Sequence, residues 1–120
     1  MKRILFLLVP AAAVTATMFA VAPFAGARPS AQTATTIKVT AKEYRFVLSK
    51  KSAPHGKVVF KVVNKGLLKH DFKIAGKKTP LLKHNQSATV IVTLKERSYP
   101  YICTVKNHVM YGMKGTFRAT

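Results

Sequence analysis

From Ile37 onward, apolar residues recur at every second position. Ile37, Val39 and Ala41 alternate with Lys38, Thr40 and Lys42, and Tyr44, Phe46 and Leu48 alternate with Arg45 and Ser49. A period of two belongs to a half-buried β-strand, with one face on a core and the other in water. Ala88, Val90, Val92 and Leu94 repeat it, and Tyr99 to Thr104 and Gly115 to Ala119 carry further strand-length segments. Val58 to Val63 is apolar on both faces apart from Lys61, as a central strand would be, and His70 to Ile74 reads as one more strand. Turn formers separate these segments: Ser52 to Gly56, Asn64-Lys65-Gly66, Ala75-Gly76 through Pro80, and Lys83 to Gln86. No apolar face of helical period follows residue 35. About seven short strands at regular turn spacing predict an all-β chain folded as an antiparallel Greek-key β-sandwich.

A chain of 120 residues holds one such domain. Its first residues have another character. Met1-Lys2-Arg3 is basic, Ile4 to Val9 is strongly apolar, Ala11 to Ala22 is Ala-rich, and Ala25-Gly26-Ala27 sets small residues three and one before a cut. This is the pattern of a secretory signal peptide. Residues 4–27 are also long enough to remain as a membrane anchor, although Pro10, Pro23 and the alanine content make a poor permanent helix. The expected organisation is a signal peptide over 1–27, a linker rich in Pro, Ser, Ala and Thr over 28–35, and one domain over 36–120. In both cases the domain is exported, to the periplasm or the outer face of the cytoplasmic membrane.

Charge constrains partners more than fold. The chain carries 21 Lys and Arg against 3 Asp and Glu, a formal +18, and loss of Lys2 and Arg3 with the signal segment leaves +16. The lysines are spread along every segment instead of forming one block, which together with export speaks against nucleic acid. Acidic proteins and anionic membrane or envelope surfaces remain as partners.

Export also makes the cysteine count informative. A single cysteine in an oxidising compartment has no internal disulfide partner and is open to oxidation. Metal ligation removes that liability, whereas a buried inert thiol would leave its spacing unexplained. Cys103 is followed by four residues and His108, then by four more and Met113. A trigonal His2Cys set with a weak axial Met is the donor set of electron-transferring type 1 copper. His70, in Lys69-His70-Asp71-Phe72, is the candidate for the second imidazole. Met110 competes with Met113 as the thioether, while His55 and His84 fall in predicted turns and are expected to be solvated. Thioether is a poor fourth ligand for structural zinc, no motif supplies the orienting group of a Cys-His hydrolase, and a second copper centre would need more histidines. Asp71 is one of only three acids. Two roles are open to it: bracing the Cys103 loop through Thr104, or lying exposed among lysines.

The motifs together resemble a known family. Glu43-Tyr44-Arg45-Phe46, Asn64-Lys65-Gly66 before His70-Asp71-Phe72, Gln86-Ser87-Ala88-Thr89, and Ser98 to Cys103 through His108 to Gly112-Met113-Lys114-Gly115-Thr116 are similar to the small plastocyanin-like and azurin-like cupredoxins of bacteria. The resemblance implies one type 1 copper ion on His70, Cys103, His108 and Met113. It further implies a monomeric one-electron carrier, not an enzyme, with electrons passing through the edge of His108. Val109, Met110 and Tyr111, extended by Leu67 and Leu68, would then form a docking patch ringed by Lys65, Lys69, Lys106 and Lys114 for a redox partner with an acidic surface. Copper capture or delivery is the alternative, and a metal-free cationic adhesin a third. Lys106-Asn107 and His84-Asn85 stand where family members often have Pro-Gly. Asn tolerates left-handed backbone, so both turns are expected to survive.

Overall fold

The computed structural model describes residues 10–13, 17 and 33–120. The remainder of the expected signal peptide, and residues 28–32 of the expected linker, lie outside the described residues. Among those described, no helix is long and apolar enough to cross a membrane.

Among the described residues, nine strands make two sheets. One sheet has the order β2 (Arg45–Leu48), β1 (Thr35–Lys42), β4 (Gly56–Asn64), β7 (Ser87–Leu94). The other has the order β3 (Ser52–Ala53), β9 (Lys114–Ala119), β8 (Arg97–Ile102), β5 (Lys73–Ile74), β6 (Lys77–Lys78). The period-two pattern faces inward as expected: Ile37, Val39, Val58, Phe60, Val62, Val90, Val92 and Phe117 are all buried. Rings from both sheets interlock there. Phe60 lies 5.1 Å from Phe117 and 5.5 Å from Phe72, and Phe46 lies 5.2 Å from Phe72, with the Phe60–Phe117 and Phe46–Phe72 pairs edge to face.

Three expectations need correction. The sandwich is mixed, because β1 pairs parallel to β4 from Thr35↔Val58 to Ala41↔Asn64, and β3 pairs parallel to β9. After the β1–β2 hairpin the chain passes to β3 in the opposite sheet and returns to β4, and such a crossover lets neighbouring strands run the same way. The strand expected over His70 to Ile74 is reduced to Lys73–Ile74, with His70 held in a single bridge to Leu82. Here the backbone of Phe72 is tied to Thr79, whose N–H donates to Phe72 O and whose hydroxyl oxygen accepts the Phe72 N–H. Tyr44 belongs to the β1–β2 turn and not to a strand, with φ of +61°.

These connections carry the chemistry-bearing side chains to one end of the sandwich. Asn64, fully buried at the end of β4, organises the loop toward His70. Its amide donates to Leu68 O and Leu82 O, both at 2.8 Å, and its oxygen accepts the Gly66 N–H at 2.8 Å. A buried amide so fully satisfied is a rigid anchor.

Candidate metal centre

Cys103 follows β8 directly, and His108 and Met113 lie on the loop between β8 and β9. That loop is wound on itself. The His108 N–H donates to Val105 O at 3.1 Å, the Met113 N–H to His108 O at 3.0 Å, and the Cys103 N–H to Met113 O at 3.1 Å, which closes its base. Asn107 takes φ of +69°, and Asn85, in the other turn that lacks Pro-Gly, takes +62°. Both substitutions thus keep their turns by using the left-handed tolerance of asparagine. Gly112 at φ +103° completes the reversal before Met113.

The β4–β5 connection brings His70 to meet this loop. His70 Nδ1 lies 3.1 Å from His108 Nδ1 and 4.0 Å from Cys103 Sγ, and His108 Nδ1 lies 3.5 Å from the same sulfur. One donor atom from each of the three lies within 4.8 Å of the others, and all three residues are buried. An ion held at about 2.0–2.3 Å by two nitrogens and one sulfur in a trigonal plane needs donor separations of about 3.5–3.8 Å. The observed sides of 3.1, 3.5 and 4.0 Å bracket that range, so shifts of a few tenths of an ångström would seat such an ion. Met113 is fully buried in a cluster with Cys103 and Ala41, whereas Met110 is 82 % exposed.

The surroundings disfavour charge on Cys103 and His108. Burial pushes the Cys103 thiol above its ordinary range, opposed by the backbone N–H groups of Asp71 and Val105 that reach its sulfur. Burial, and then the neighbouring His70, push the His108 imidazole below its ordinary range. A neutral imidazole is the metal-binding form, and a thiol that burial keeps protonated is one that a bound cation would ionise.

Asp71 takes the bracing role and not the exposed one. It is 5 % exposed and accepts the Thr104 N–H at 2.6 Å and the Thr104 hydroxyl through its other oxygen. His55 and His84 are exposed, as expected, and both are also bonded: each donates through Nδ1, to Thr120 O at 2.9 Å and to Gly66 O at 2.8 Å. Neither joins the donor cluster. The sequence reading missed Glu43, whose Oε1 lies 3.3 Å from His70 Nε2. Its rarity as one of three acids and its place in the family-like segment Glu43-Tyr44-Arg45-Phe46 were the signals available.

Residues 9–117 match the family model for a cupredoxin-like domain. The chain belongs to the cupredoxin-like family. Among solved structures, this cupredoxin is similar to the dithionite-reduced auracyanin of Roseiflexus castenholzii (TM-score 0.64, 20 % identity, covering 72 % of this chain and 97 % of that one). Auracyanin A, a blue copper protein of Chloroflexus aurantiacus, matches at TM-score 0.61 and 20 % identity over 72 % of this chain and 99 % of that one. An azurin of Methylomonas sp. strain J matches at 0.58 and 15 % over 72 % and 98 %. At these identities the likeness is one of fold. No curated protein matches the sequence. Within a cupredoxin, His70, Cys103, His108 and Met113 are arranged as a type 1 copper site, and copper is the cofactor of such a site.

Asp71→Ala is expected to destabilise the copper-free protein by about 1–3 kcal/mol, because the Thr104 N–H loses its acceptor. Asp71→Asn keeps one acceptor and should lose less. Urea unfolding measures both, and an unchanged midpoint for Asp71→Ala would show that the carboxylate braces nothing.

Proposed function

We propose that this protein is an exported, mononuclear type 1 copper protein that carries single electrons between redox partners, with His70, Cys103, His108 and Met113 as its ligands. The observation that carries the reading is the convergence of two imidazole nitrogens and one thiol sulfur, from two separate segments, in a buried triangle beside a buried thioether. Copper in such a site supplies exchange of one electron between Cu(II) and Cu(I).

The chain's part is to hold its donors still. His70, Cys103 and Met113 are fully buried and His108 nearly so, which excludes water from the donors and keeps their rotamers packed. A fixed donor set lowers the reorganisation that accompanies a change of charge. The same burial favours retention of the ion over ready exchange, and so favours the electron carrier over a copper-delivery protein. His108 is the ligand nearest a docking surface: Met110 and Tyr111 follow it in the loop at 82 % and 62 % exposure, and Leu67 at 82 % lies on the neighbouring connection. Aromatic and apolar side chains of this kind suit a transient protein contact. We place the electron path at this edge, with Lys65, Lys69, Lys106 and Lys114 attracting a partner of acidic surface or an anionic membrane. Export rests on the sequence of residues 1–27.

The reading is tested by the visible spectrum after addition of Cu(II) to the purified protein. An intense thiolate-to-copper absorption is expected in wild type and should vanish in Cys103→Ser, since a hydroxyl is a hard, weak substitute for thiolate. An intensely blue Cys103→Ser protein would refute the assignment.

Met113→Leu should retain copper on the three strong donors and raise the reduction potential, because loss of the axial sulfur weakens donation to Cu(II) more than to Cu(I). Met110→Leu should leave the potential almost unmoved. A larger shift from Met110→Leu would reassign the axial ligand.

Electrostatic steering raises association rates by roughly 10- to 1000-fold and is screened over about 8 Å at physiological ionic strength. Electron transfer to an acidic partner should therefore slow steeply as salt rises. Lys106→Glu with Lys114→Glu should reproduce the high-salt rate without changing the copper spectrum. A flat stopped-flow profile across a salt series would deny the charge any docking role.

A further inference from the structure

The turn between β1 and β2 touches both imidazoles. Glu43 and Tyr44 connect Lys42 to Arg45, the last registered pair of that hairpin. Tyr44 takes φ of +61°, a left-handed conformation that a bulky aromatic residue adopts only when its surroundings impose it. In that conformation its ring stands edge-on to His108, with centroids 5.3 Å apart, and rests against Tyr111 at 4.8 Å. Glu43 turns the opposite way. Its Oε1 accepts the Leu68 N–H at 2.8 Å and lies 3.3 Å from His70 Nε2.

This approach depends on a glycine. A Cβ at residue 66 would fall 2.3 Å from Glu43 Oε1 and 3.0 Å from His70 Nε2, so any larger residue would occupy the space through which carboxylate and ring meet. Gly66 is itself held in place by Asn64 Oδ1. Two segments distant in sequence, the β1–β2 turn and the β4–β5 connection, therefore build one contact behind the metal centre.

We propose that Glu43 is a positioning residue for the metal centre: its carboxylate accepts the Nε2–H of His70, fixing the imidazole in the tautomer whose bare Nδ1 faces Cys103 and His108, and it sets a negative charge beside the copper. A neutral imidazole carries a single N–H. If that hydrogen sat on Nδ1, the nitrogen 3.1 Å from His108 Nδ1 and 4.0 Å from Cys103 Sγ would have no lone pair to offer. A carboxylate on the far nitrogen both selects the competent form and makes the ring a better donor. The negative charge favours Cu(II) over Cu(I) and so lowers the reduction potential.

The tautomer part concerns the copper-free protein, while the effect on the potential rests on the copper reading above. Nitrogen-15 NMR of the copper-free protein should show His70 protonated at Nε2 in wild type and in Glu43→Gln, whose amide oxygen can still accept. In Glu43→Ala the Nδ1–H form should rise several-fold. An unchanged tautomer ratio in Glu43→Ala overturns the proposal. In the copper-loaded protein, Glu43→Gln should keep the visible band and raise the ratio of Cu(I) to Cu(II) affinity about tenfold, equivalent to about 59 mV for a one-electron couple. An unmoved potential would show that Glu43 serves only to hold the Leu68 loop, and this measurement decides the matter should Glu43→Ala lose its fold. A wild-type protein that takes up no copper sinks the copper reading and leaves the tautomer measurement to judge Glu43.

Discussion

Two buried imidazole nitrogens 3.1 Å apart, both close to one buried sulfur, are the contact around which this end of the sandwich is built. At that distance an N–H of one ring can donate to the bare nitrogen of the other in the copper-free protein, and burying the pair without such a bond would cost free energy. The sandwich holds these groups together where a cation can join them. Much of what is unusual near the site does so from behind. Asn64 pins the loop before His70, Asp71 pins the segment after Cys103, and the β8–β9 loop bonds to itself around His108.

The bracing groups are acids and amides in a chain with almost no acids to spare. Of the three carboxylates, Asp71 and Glu43 are both engaged at the metal centre, one on the cysteine side and one on the histidine side. Glu43 is held below its ordinary carboxylate range chiefly by the Leu68 N–H, which outweighs the opposing effect of burial, with a lesser contribution from its bond to His70. The basic chain thus braces its metal centre with two of its three acids. Such a division suits a protein that attracts anionic surfaces from outside while stabilising a cation within.

Much of this was legible in the amino-acid order, and the exceptions share a cause. Period-two alternation located β1, β2 and β7 because one face of each is dry, the apolar run Val58 to Val63 located β4, turn formers set off the segments that became β8 and β9, and the Cys103-His108-Met113 spacing marked the donor loop because a single loop carries it. Parallel pairing of β1 with β4 was not legible, since it depends on a crossover through the opposite sheet and no local pattern encodes it. The two-residue strands β3 and β6 exist only through their partners. Glu43 escaped for the same reason, because its contact with His70 needs the turn at 43–44 to meet the connection that carries Gly66 and His70, two segments that converge only when folded. Tyr44, an aromatic residue in left-handed backbone, follows no rule of turn composition. Asn85 and Asn107 are the instructive opposite: a local conformational tolerance read from residue type became the observed backbone.

The central claim is that the fold assembles the donors before the metal arrives. Crystal structures of the protein without copper and loaded with Cu(II) test it most directly. The account predicts that the ring nitrogens of His70 and His108 and the sulfur of Cys103 lie within 4.8 Å of one another in both crystals, with the same rotamers. A copper-free crystal in which either imidazole or the cysteine has swung beyond that distance would contradict it, and would make copper the organiser of the site.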